Sequence, residues 1–307
     1  MPYLQVKTKR GKARSWLDKH GGDDRPFFLL CHYFDPHDSY VEHPDRWSYK
    51  PYEGPVQKGV DIRGLRDMRM SFKERDIERL VELYDGELAF TDHYIGILLD
   101  HLGKLGLTEK TVIVVTADHG EEFMERGWIG HTRTLFEEII RVPLIIKAPH
   151  IKTPHVIKED VRLVDMVPTL LDLAGQPDAV SGVQGTSLVP LLNGESLDEP
   201  LPVFAEVAYV PDPWELKEKT TFLTSMKIGR HKLIENQLTG NASAYDLEND
   251  PREIQDLALL HSPVDNEILK QLRSRLLALS RSLTAVGPEV SIDEETRDKL
   301  RALGYLE

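Results

Sequence analysis

The sequence has almost no cysteine and no long apolar run, and both absences exclude whole classes of protein. The single cysteine, Cys31, excludes an internal disulfide framework and any zinc site built from several cysteines. Continuous apolar runs do not exceed the length of a core strand, far short of the roughly 18 to 20 residues that cross a bilayer. The sequence therefore predicts neither a disulfide-stapled domain nor a membrane-spanning helix.

Positive charge is also in deficit. The 307 residues include 38 Lys and Arg against 51 Asp and Glu, which gives a formal net charge of −13. The electrostatic field of a negatively charged protein repels polyanions, so nucleic acid is not expected as a partner. The N-terminus is basic but no apolar segment follows it, so the chain as written shows no secretory signal and predicts a cytoplasmic location.

The residues that are present are those of a globular protein with a substantial core. Hydrophobic residues make up 40% of the chain and charged residues 29%, which excludes disorder for most of its length. A chain of this length forms one large domain or about two ordinary ones.

Strand and helix patterns alternate in the first half of the chain. Ser71 and Glu74 form a capping box for a long amphipathic helix that ends near Gly103. The run 111–116 is rich in β-branched residues, as in a strand buried on both faces of a mainly parallel sheet. A strand, a helix and a strand in this order form a βαβ unit. The segments behind this prediction are a strand at 26–34, a surface loop at 39–69, the helix, the strand 111–116, a strand at 144–147 and a helix at 165–174.

The amino-acid composition changes after Gly175, where a stretch rich in Pro, Gly and Ser begins. Short strand patterns and a tight turn at Gly229 then predict a small antiparallel sheet, followed by helices. The predicted architecture is therefore α/β over 1–175, a mainly parallel sheet flanked by helices, with a C-terminal α+β subdomain over 176–307. Strands are predicted at 203–207, 225–228 and 231–234, and helices at 268–283 and 291–307.

Chemistry-bearing side chains follow two of the predicted strands. His37 comes after the first strand, and Asp118 with His119 comes after the strand at 111–116. Ligands of open α/β sheets bind at the carboxyl ends of the strands, and a carboxylate beside an imidazole can hold one metal ion. His131, with Arg133 close by, adds a further candidate. From these residues alone, a purely structural turn with His119 on the surface stays an open alternative.

Several longer segments make the pattern more specific. In order and spacing they resemble the sulfatases of the alkaline phosphatase superfamily, and the resemblance covers nearly the whole chain from residue 26 onward. The segments are HYFDPHDSY at 32–40, YDGELAFTDHYIG at 84–96, VIVVTADHGEEF at 112–123, GHTRTLFEEIIRVPLII at 130–146, VDMVPTLLDLAG at 164–175, GTSLVPLL at 185–192, HKLI at 231–234 and AYDLENDPREIQDLA at 244–258.

The resemblance implies a role for each candidate residue. Asp118 and His119 match the pair that ligates a divalent cation in the family, with Ca²⁺ expected and Mn²⁺ or Zn²⁺ admitted by the imidazole. His37 matches the histidine that contacts the sulfate ester, and we expect it to donate a proton to the leaving alcohol. His131 or Arg133 stands where the family often has a lysine that touches the sulfate, and the choice between them is open.

The sequence also departs from the family pattern. Sulfatases convert a Cys or Ser in a C/S-x-P-x-R stretch to formylglycine, and they take two more acidic metal ligands from a first strand; neither segment occurs in these 307 residues. The chain thus resembles the C-terminal part of a sulfatase. We expect no turnover by this chain alone, and uncovered apolar surface that pairs with an N-terminal segment or a second copy. Full-length relatives are commonly exported, so a periplasmic or secreted location is expected for them.

The resemblance predicts a sulfuric ester hydrolase, or a part of one, acting on a sulfated small molecule or glycan. A phosphonate or phosphodiester hydrolase or a phosphoryl transferase of the same superfamily is one alternative. A catalytically inactive remnant that binds a metal or an anion is the other. The acidic residues around the motifs are expected to be structural or solvent-facing; they are Asp85, Glu87, Asp92, Glu121, Glu122, Glu137 and Glu138.

Overall fold

The computed structural model describes residues 4–6, 11–23, 25–37, 39–151, 153–209, 220–259 and 263–283. It has the mixed α/β architecture that the sequence predicts. The helices are α1 (Lys12–His20), α2 (Ile62–Met68), α3 (Glu74–Lys104), α4 (Glu137–Ile140), α5 (Met166–Leu173), α6 (Val189–Leu192) and α7 (Pro263–Leu283). The strands are β1 (Leu4–Val6), β2 (Cys31–Tyr33), β3 (Ile113–Thr116), β4 (Glu122–Phe123), β5 (Ile129–Gly130), β6 (Leu144–Lys147), β7 (Val203–Tyr209), β8 (Thr221–Ile228), β9 (His231–Asn236) and β10 (Ala242–Asp246).

Helix α3 is the longest element, and its N-terminus differs from the prediction. It begins at Glu74, and the carboxylate of Asp76 accepts the backbone N–H of Lys73 at 2.7 Å. Ser71 does not cap this helix, because its hydroxyl donates to the carbonyl of Met68 at 2.7 Å. The predicted capping box was therefore wrong by two residues, and the carboxylate of Asp76 accepts the N–H of the N-cap residue Lys73 instead.

The segment before α3, predicted as a surface loop, is held firmly against that helix. It contains α2, which the sequence reading missed and which is capped by the Asp61 side chain through the N–H of Gly64 at 2.7 Å. Buried Glu87 of α3 accepts the N–H of Val41 at 2.8 Å and lies 2.9 Å from the imidazole of His43. Glu87 is thus structural, as predicted, and it fixes the start of this segment.

The strand pairings are mixed. Strands β1 and β2 pair in parallel, whereas β3 pairs with β6 in antiparallel register, Val114 opposite Ile146. The expectation that the strand at 144–147 continues a parallel pattern was wrong for this pair. Strand β2 is also shorter than the predicted 26–34, and β3 is half-buried rather than buried on both faces.

Several single apolar side chains are exposed, and the uncovered surface expected from the sequence stays a prediction. Phe28 is 52% exposed, Ile145 of β6 is 64% exposed and Val167 of α5 is 53% exposed. None of the helices in the described ranges is long and apolar enough to cross a membrane.

Contacts divide the chain into two compact units, one of Met1–Leu201 with Val207–Leu223 and the other of Pro202–Glu206 with Thr224–Glu307. The predicted domain boundary after residue 175 stays a prediction. In the first unit, a hydrophobic cluster packs the 39–71 segment against α3 and β5. Its buried members are Tyr40, Val56, Leu65, Leu80, Leu83 and Ile129.

A four-stranded sheet in the order β10, β9, β8, β7 follows in the chain. The predicted strands are present but longer, the turn at Gly229 is present with a φ of 55°, and β10 was missed. Helix α7 packs on the sheet core through Leu272 and Leu276. The predicted helix at 291–307 lies outside the described residues.

Candidate functional site

Three imidazoles from three separate loops lie together in the first unit. The rings of His119 and His131 stack with centroids 3.9 Å apart and an interplanar angle of 22°. The ring of His37 meets His131 edge-on at 5.5 Å and 65°. The structure therefore brings together the three histidines that the sequence singled out, each from a loop that follows a strand.

His119 is held in the orientation of a metal ligand. Its Nδ1 lies 2.8 Å from the carbonyl oxygen of Gly120, and because a carbonyl can only accept, Nδ1 carries the proton. This leaves the lone pair on Nε2, the arrangement that ligating histidines usually show. The Nε2 atom lies 3.8 Å from Oδ2 of Asp118, which is too long for a hydrogen bond.

That spacing fits a shared cation. An ion about 2.1 Å from a nitrogen and about 2.3 Å from an oxygen separates the two ligand atoms by roughly 3 to 4 Å. The Asp118 side chain is 61% exposed, so its carboxylate is accessible. No group of three or more His, Cys, Asp or Glu positioned for a metal occurs in the part of the chain that the structure describes. These two residues thus fit part of a metal shell, as the resemblance implies.

Gly120 is required by a close approach of two backbone segments. Its N–H donates to the carbonyl of Ile139 at 2.7 Å, and a Cβ at this position would overlap the carbonyl oxygen of Glu138. The φ of Gly120 is not positive, so a left-handed turn is not the reason for a glycine here. The glycine instead lets the loop after β3 lie directly on α4.

Glu121 links two of the other site segments. Its side chain is only 5% exposed, its Oε1 lies 3.1 Å from Nδ1 of His131, and its Oε2 accepts the hydroxyl of Tyr40 at 2.9 Å. The sequence reading placed Glu121 among structural or solvent-facing acids and did not connect it with His131. No local pattern could have shown this contact, because Tyr40 lies far away in sequence.

The neighbouring Glu122 organises the hairpin that leads to His131. It is fully buried in β4, and its carboxylate accepts the N–H of Arg126 at 3.0 Å and the hydroxyl of Thr134 at 3.2 Å. Burial raises the pKa of Glu122, although these donors act in the opposite direction. Glu122 is therefore structural, and it fixes both ends of the 122–134 segment.

The guanidinium of Arg133 packs on an aromatic side chain. Its guanidinium lies 4.6 Å from the ring centre of Trp128, over which Arg66 and Arg69 also lie, at 4.8 and 4.6 Å. Arg66 also donates from Nε to the carbonyl of Ile129 at 2.8 Å. His131 makes the ring contacts to His37 and His119, and Arg133 packs on the buried indole of Trp128.

His37 is placed by its own turn. Its N–H donates to the carbonyl of Phe34 at 2.9 Å, and its ring stacks on Phe34 with centroids 4.5 Å apart. The hydroxyl of Thr91 in α3 donates to the carbonyl of Asp35 at 3.2 Å and ties this turn to the long helix.

Comparison with known families identifies the fold and the motif set. The sequence profile of the family described as Sulfatase matches residues 11–176, more than half of the chain. The chain belongs to the sulfatase family. A second profile, N-sulphoglucosamine sulphohydrolase, C-terminal, matches residues 124–282. The resemblance seen in the sequence motifs is confirmed.

Characterised relatives are longer than this member of the sulfatase family. A choline-sulfatase from Rhizobium meliloti is 28% identical over 280 residues, covering 84% of this chain and 52% of the relative. Arylsulfatase K from Danio rerio is 30% identical over 205 residues, covering 66% of this chain and 38% of the relative. The chain thus spans about half the length of the first relative and less of the second.

Solved structures share the fold. A phosphonate monoester hydrolase from Silicibacter pomeroyi superimposes with a TM-score of 0.59 at 27% identity, covering 73% of this chain and 45% of that one. A protein in complex with its substrate D-glucosamine-2-N,6-O-disulfate gives 0.54 at 26% identity, with coverage of 75% and 47%. A 2-O GAG sulfatase gives 0.69 at 20% identity, with coverage of 93% and 65%, and that likeness shows the fold alone.

The sulfatase family generally uses a divalent cation and a formylglycine. The residues present here supply a carboxylate and an imidazole with a free Nε2, which suits a divalent cation. No C/S-x-P-x-R stretch occurs in the 307 residues. The described residues thus offer Asp118 and His119, which suit a divalent cation, beside the imidazoles of His37 and His131.

Proposed function

We propose that this chain forms the cation- and sulfate-binding part of a sulfate monoester hydrolase. The observation that carries the proposal is the cluster of His37, His119 and His131 beside the carboxylate of Asp118. In the proposal Asp118 and His119 ligate one divalent cation. His37 and His131 contact the sulfate group, and Arg133 is the alternative to His131.

The chemistry follows from charge. A sulfate ester is anionic, and more negative charge develops on the leaving oxygen as the S–O bond breaks. A bound divalent cation would neutralise part of that charge. Imidazole N–H groups fixed in place before the reaction would stabilise the same charge without reorganisation, and in the proposal His37 donates a proton to the leaving alcohol.

The cation that we propose is Ca²⁺. The carboxylate of Asp118 is a hard oxygen ligand of the kind that calcium prefers. The Nε2 of His119 also suits Mn²⁺ or Zn²⁺, so these ions belong in the same titration. Preference for zinc over calcium would change the identity of the ion while leaving the two ligands as proposed.

The proposed substrate is a sulfated small molecule or glycan. The relatives are named choline-sulfatase and arylsulfatase K, and one similar structure holds D-glucosamine-2-N,6-O-disulfate as its substrate. The acidic net charge of −13 favours compact sulfate esters over long polyanions. A nucleic-acid partner is not part of the proposal.

The partner and the compartment also stay predictions. Exposed Phe28, Ile145 and Val167 suit coverage by an additional sulfatase segment or by a second copy of this chain. A periplasmic or secreted location is predicted for a full-length member of the family.

A second candidate function comes from one specific likeness. The phosphonate monoester hydrolase matches at 27% identity over 73% of this chain. Phosphonate monoesters also carry a negatively charged tetrahedral centre, so the same cation and imidazoles would serve them. Comparing the binding of 4-nitrophenyl sulfate with that of a phenylphosphonate monoester separates the two functions.

Binding is the sharpest test because it does not need the nucleophile. Calorimetry of the purified chain with Ca²⁺ should give one site that Asp118→Asn and His119→Ala remove. The exposed Asp178→Asn serves as the matched control and should leave the site intact. Addition of 4-nitrophenyl sulfate to the calcium-loaded chain should then give a binding signal without turnover.

Two results would contradict the proposal. Absence of any cation-dependent binding of the sulfate ester would remove the function, and tighter binding of the phosphonate ester would move it to the second candidate. Measurable turnover of 4-nitrophenyl sulfate by the 307-residue chain would overturn our interpretation of the missing nucleophile.

A further inference from the structure

A buried hydrogen-bonded chain runs from the core to the histidine cluster. The hydroxyl of Tyr40 donates to Oε2 of Glu121 at 2.9 Å, and Oε1 of Glu121 lies 3.1 Å from Nδ1 of His131. His131 in turn stacks on His119 at 3.9 Å. The three linked side chains come from three different segments of the chain.

The anchor of this chain is rigid. Tyr40 is only 1% exposed, and it belongs to the hydrophobic cluster that packs the 39–71 segment against α3. Its ring also meets Tyr84 of α3 edge-on at 5.7 Å. The phenol oxygen therefore has little freedom, and it fixes the position of the Glu121 carboxylate.

The carboxylate determines which nitrogen of His131 carries a proton. An ionised carboxylate can only accept, so Nδ1 of His131 must donate to it. The Nε2 atom is then the one left for a ligand, and the ring is held flat against His119. Acidic partners of this kind set the tautomer and orientation of functional histidines.

We propose that Glu121 is a positioning residue, anchored by Tyr40, which fixes the tautomer and the ring orientation of His131. Contact of Nε2 with a sulfate group rests on the proposed function and needs a proton on Nε2 as well, whereas the Nδ1–H donation to Glu121 and the ring orientation do not depend on it. Glu121 itself needs to touch neither cation nor substrate.

The test uses the full chain labelled with ¹⁵N-histidine. Long-range ¹H–¹⁵N spectra distinguish a protonated from an unprotonated Nδ1, and the His131 signals among the 12 histidines are identified by their loss in His131→Gln. In the unsubstituted chain we expect a protonated Nδ1. In Glu121→Ala we expect a mixture of the two His131 tautomers. In Glu121→Gln we expect a protonated Nδ1, as in the unsubstituted chain, because the amide oxygen of Gln can still accept its hydrogen bond.

Tyr40→Phe removes the anchoring hydroxyl and should have a smaller effect in the same direction as Glu121→Ala. Glu53→Ala, at an exposed position outside the cluster, is the matched control and should leave the His131 signals unchanged. Unchanged His131 signals in Glu121→Ala, or a failure of Glu121→Gln to restore them, would overturn the proposal.

Inorganic sulfate provides a second readout, on the calcium-loaded chain. Loss of the acceptor in Glu121→Ala should weaken sulfate binding about 10- to 100-fold, with recovery in Glu121→Gln. If the unsubstituted chain binds no sulfate while the spectra behave as expected, the proposed function fails and the positioning role stands. If sulfate binds equally well to all variants and the tautomer does not change, the positioning role fails alone.

Discussion

The imidazoles of His119 and His131 stack face to face, with ring centroids 3.9 Å apart. One ring keeps its Nε2 lone pair free by donating Nδ1–H to the carbonyl of Gly120, and the other donates Nδ1–H to Glu121. Both rings thus have one nitrogen fixed by the protein and one available for a ligand. In our proposal the first ring binds the cation and the second contacts the sulfate group.

The choice between His131 and Arg133 as the sulfate contact can be decided by single substitutions. His131→Ala should weaken sulfate-ester binding about 10- to 100-fold, the usual size of a lost hydrogen bond to a charged group. Arg133→Ala should leave binding nearly unchanged and lower the free energy of unfolding by about 0.5 to 1 kcal/mol, because its guanidinium packs on Trp128. Calorimetry and urea unfolding measure the two effects, and the reverse pattern would assign the role to Arg133.

Gly120→Ala should disrupt the cation site by moving the loop off α4. The added methyl would overlap the Glu138 carbonyl oxygen, and overpacking of this kind typically costs about 1 to 3 kcal/mol. Gly96→Ala in α3 is the matched control, because a Cβ there meets nothing within 4 Å. The control should stabilise the helix by up to about 1 kcal/mol. Equal unfolding midpoints in urea for the two variants would contradict the predicted close approach.

Much of the candidate site could be predicted from the sequence, because three of its residues follow the ends of predicted strands. His37, Asp118 and His119 stand where strand patterns stop, and ligand-binding residues of α/β folds concentrate at such positions. Glu121 and Tyr40 could not be predicted, because their contact joins segments far apart in sequence. The antiparallel pairing of β3 with β6 was missed for a related reason: a β-branched run predicts a strand but not the direction of its neighbour.

The buried ion pair between Lys232 and Glu253 should be a strong determinant of stability in the second unit. Both side chains are 0% exposed, and Nζ lies 2.8 Å from Oε1. Lys232→Met or Glu253→Gln alone leaves one buried charge without its partner and should cost about 3 to 5 kcal/mol. The double variant should cost less than the sum of the two.

Urea unfolding of the four combinations measures the coupling between these residues. The exposed pair Lys270 and Glu267, 76% and 62% exposed, is the control, and it should couple by less than about 1 kcal/mol. Additive effects at Lys232 and Glu253 would show that the buried pair is not energetically linked.

Asp76 should make the stability of the chain depend on pH. Hydrogen bonds from the Tyr52 hydroxyl and the Lys73 N–H lower the pKa of Asp76 in the folded state. Asp76 therefore contributes its full stabilisation at pH values above the pKa that it has in the unfolded chain. That stabilisation is lost as the pH falls through the lower pKa that Asp76 has in the folded chain. Asp76→Asn should cost about 1 kcal/mol at neutral pH, the usual value of a helix cap, and this cost should shrink in acid.

The measurement is the free energy of unfolding in urea, from neutral pH down to the acid limit of the fold. Asp100→Asn, an exposed change near the other end of α3, should show no such trend. A cost of Asp76→Asn that grows as the pH falls would contradict the assigned sign.

Anomalous diffraction from crystals soaked in Mn²⁺ tests the cation site most directly. We predict one strong peak within about 2.0 to 2.4 Å of both the His119 Nε2 and the Asp118 Oδ2. The peak should disappear in Asp118→Asn crystals and persist in the exposed Asp178→Asn control. No peak between these two atoms, or side chains of Asp118 and His119 that point into separate surroundings, would contradict the assignment of this cluster as a sulfatase metal site.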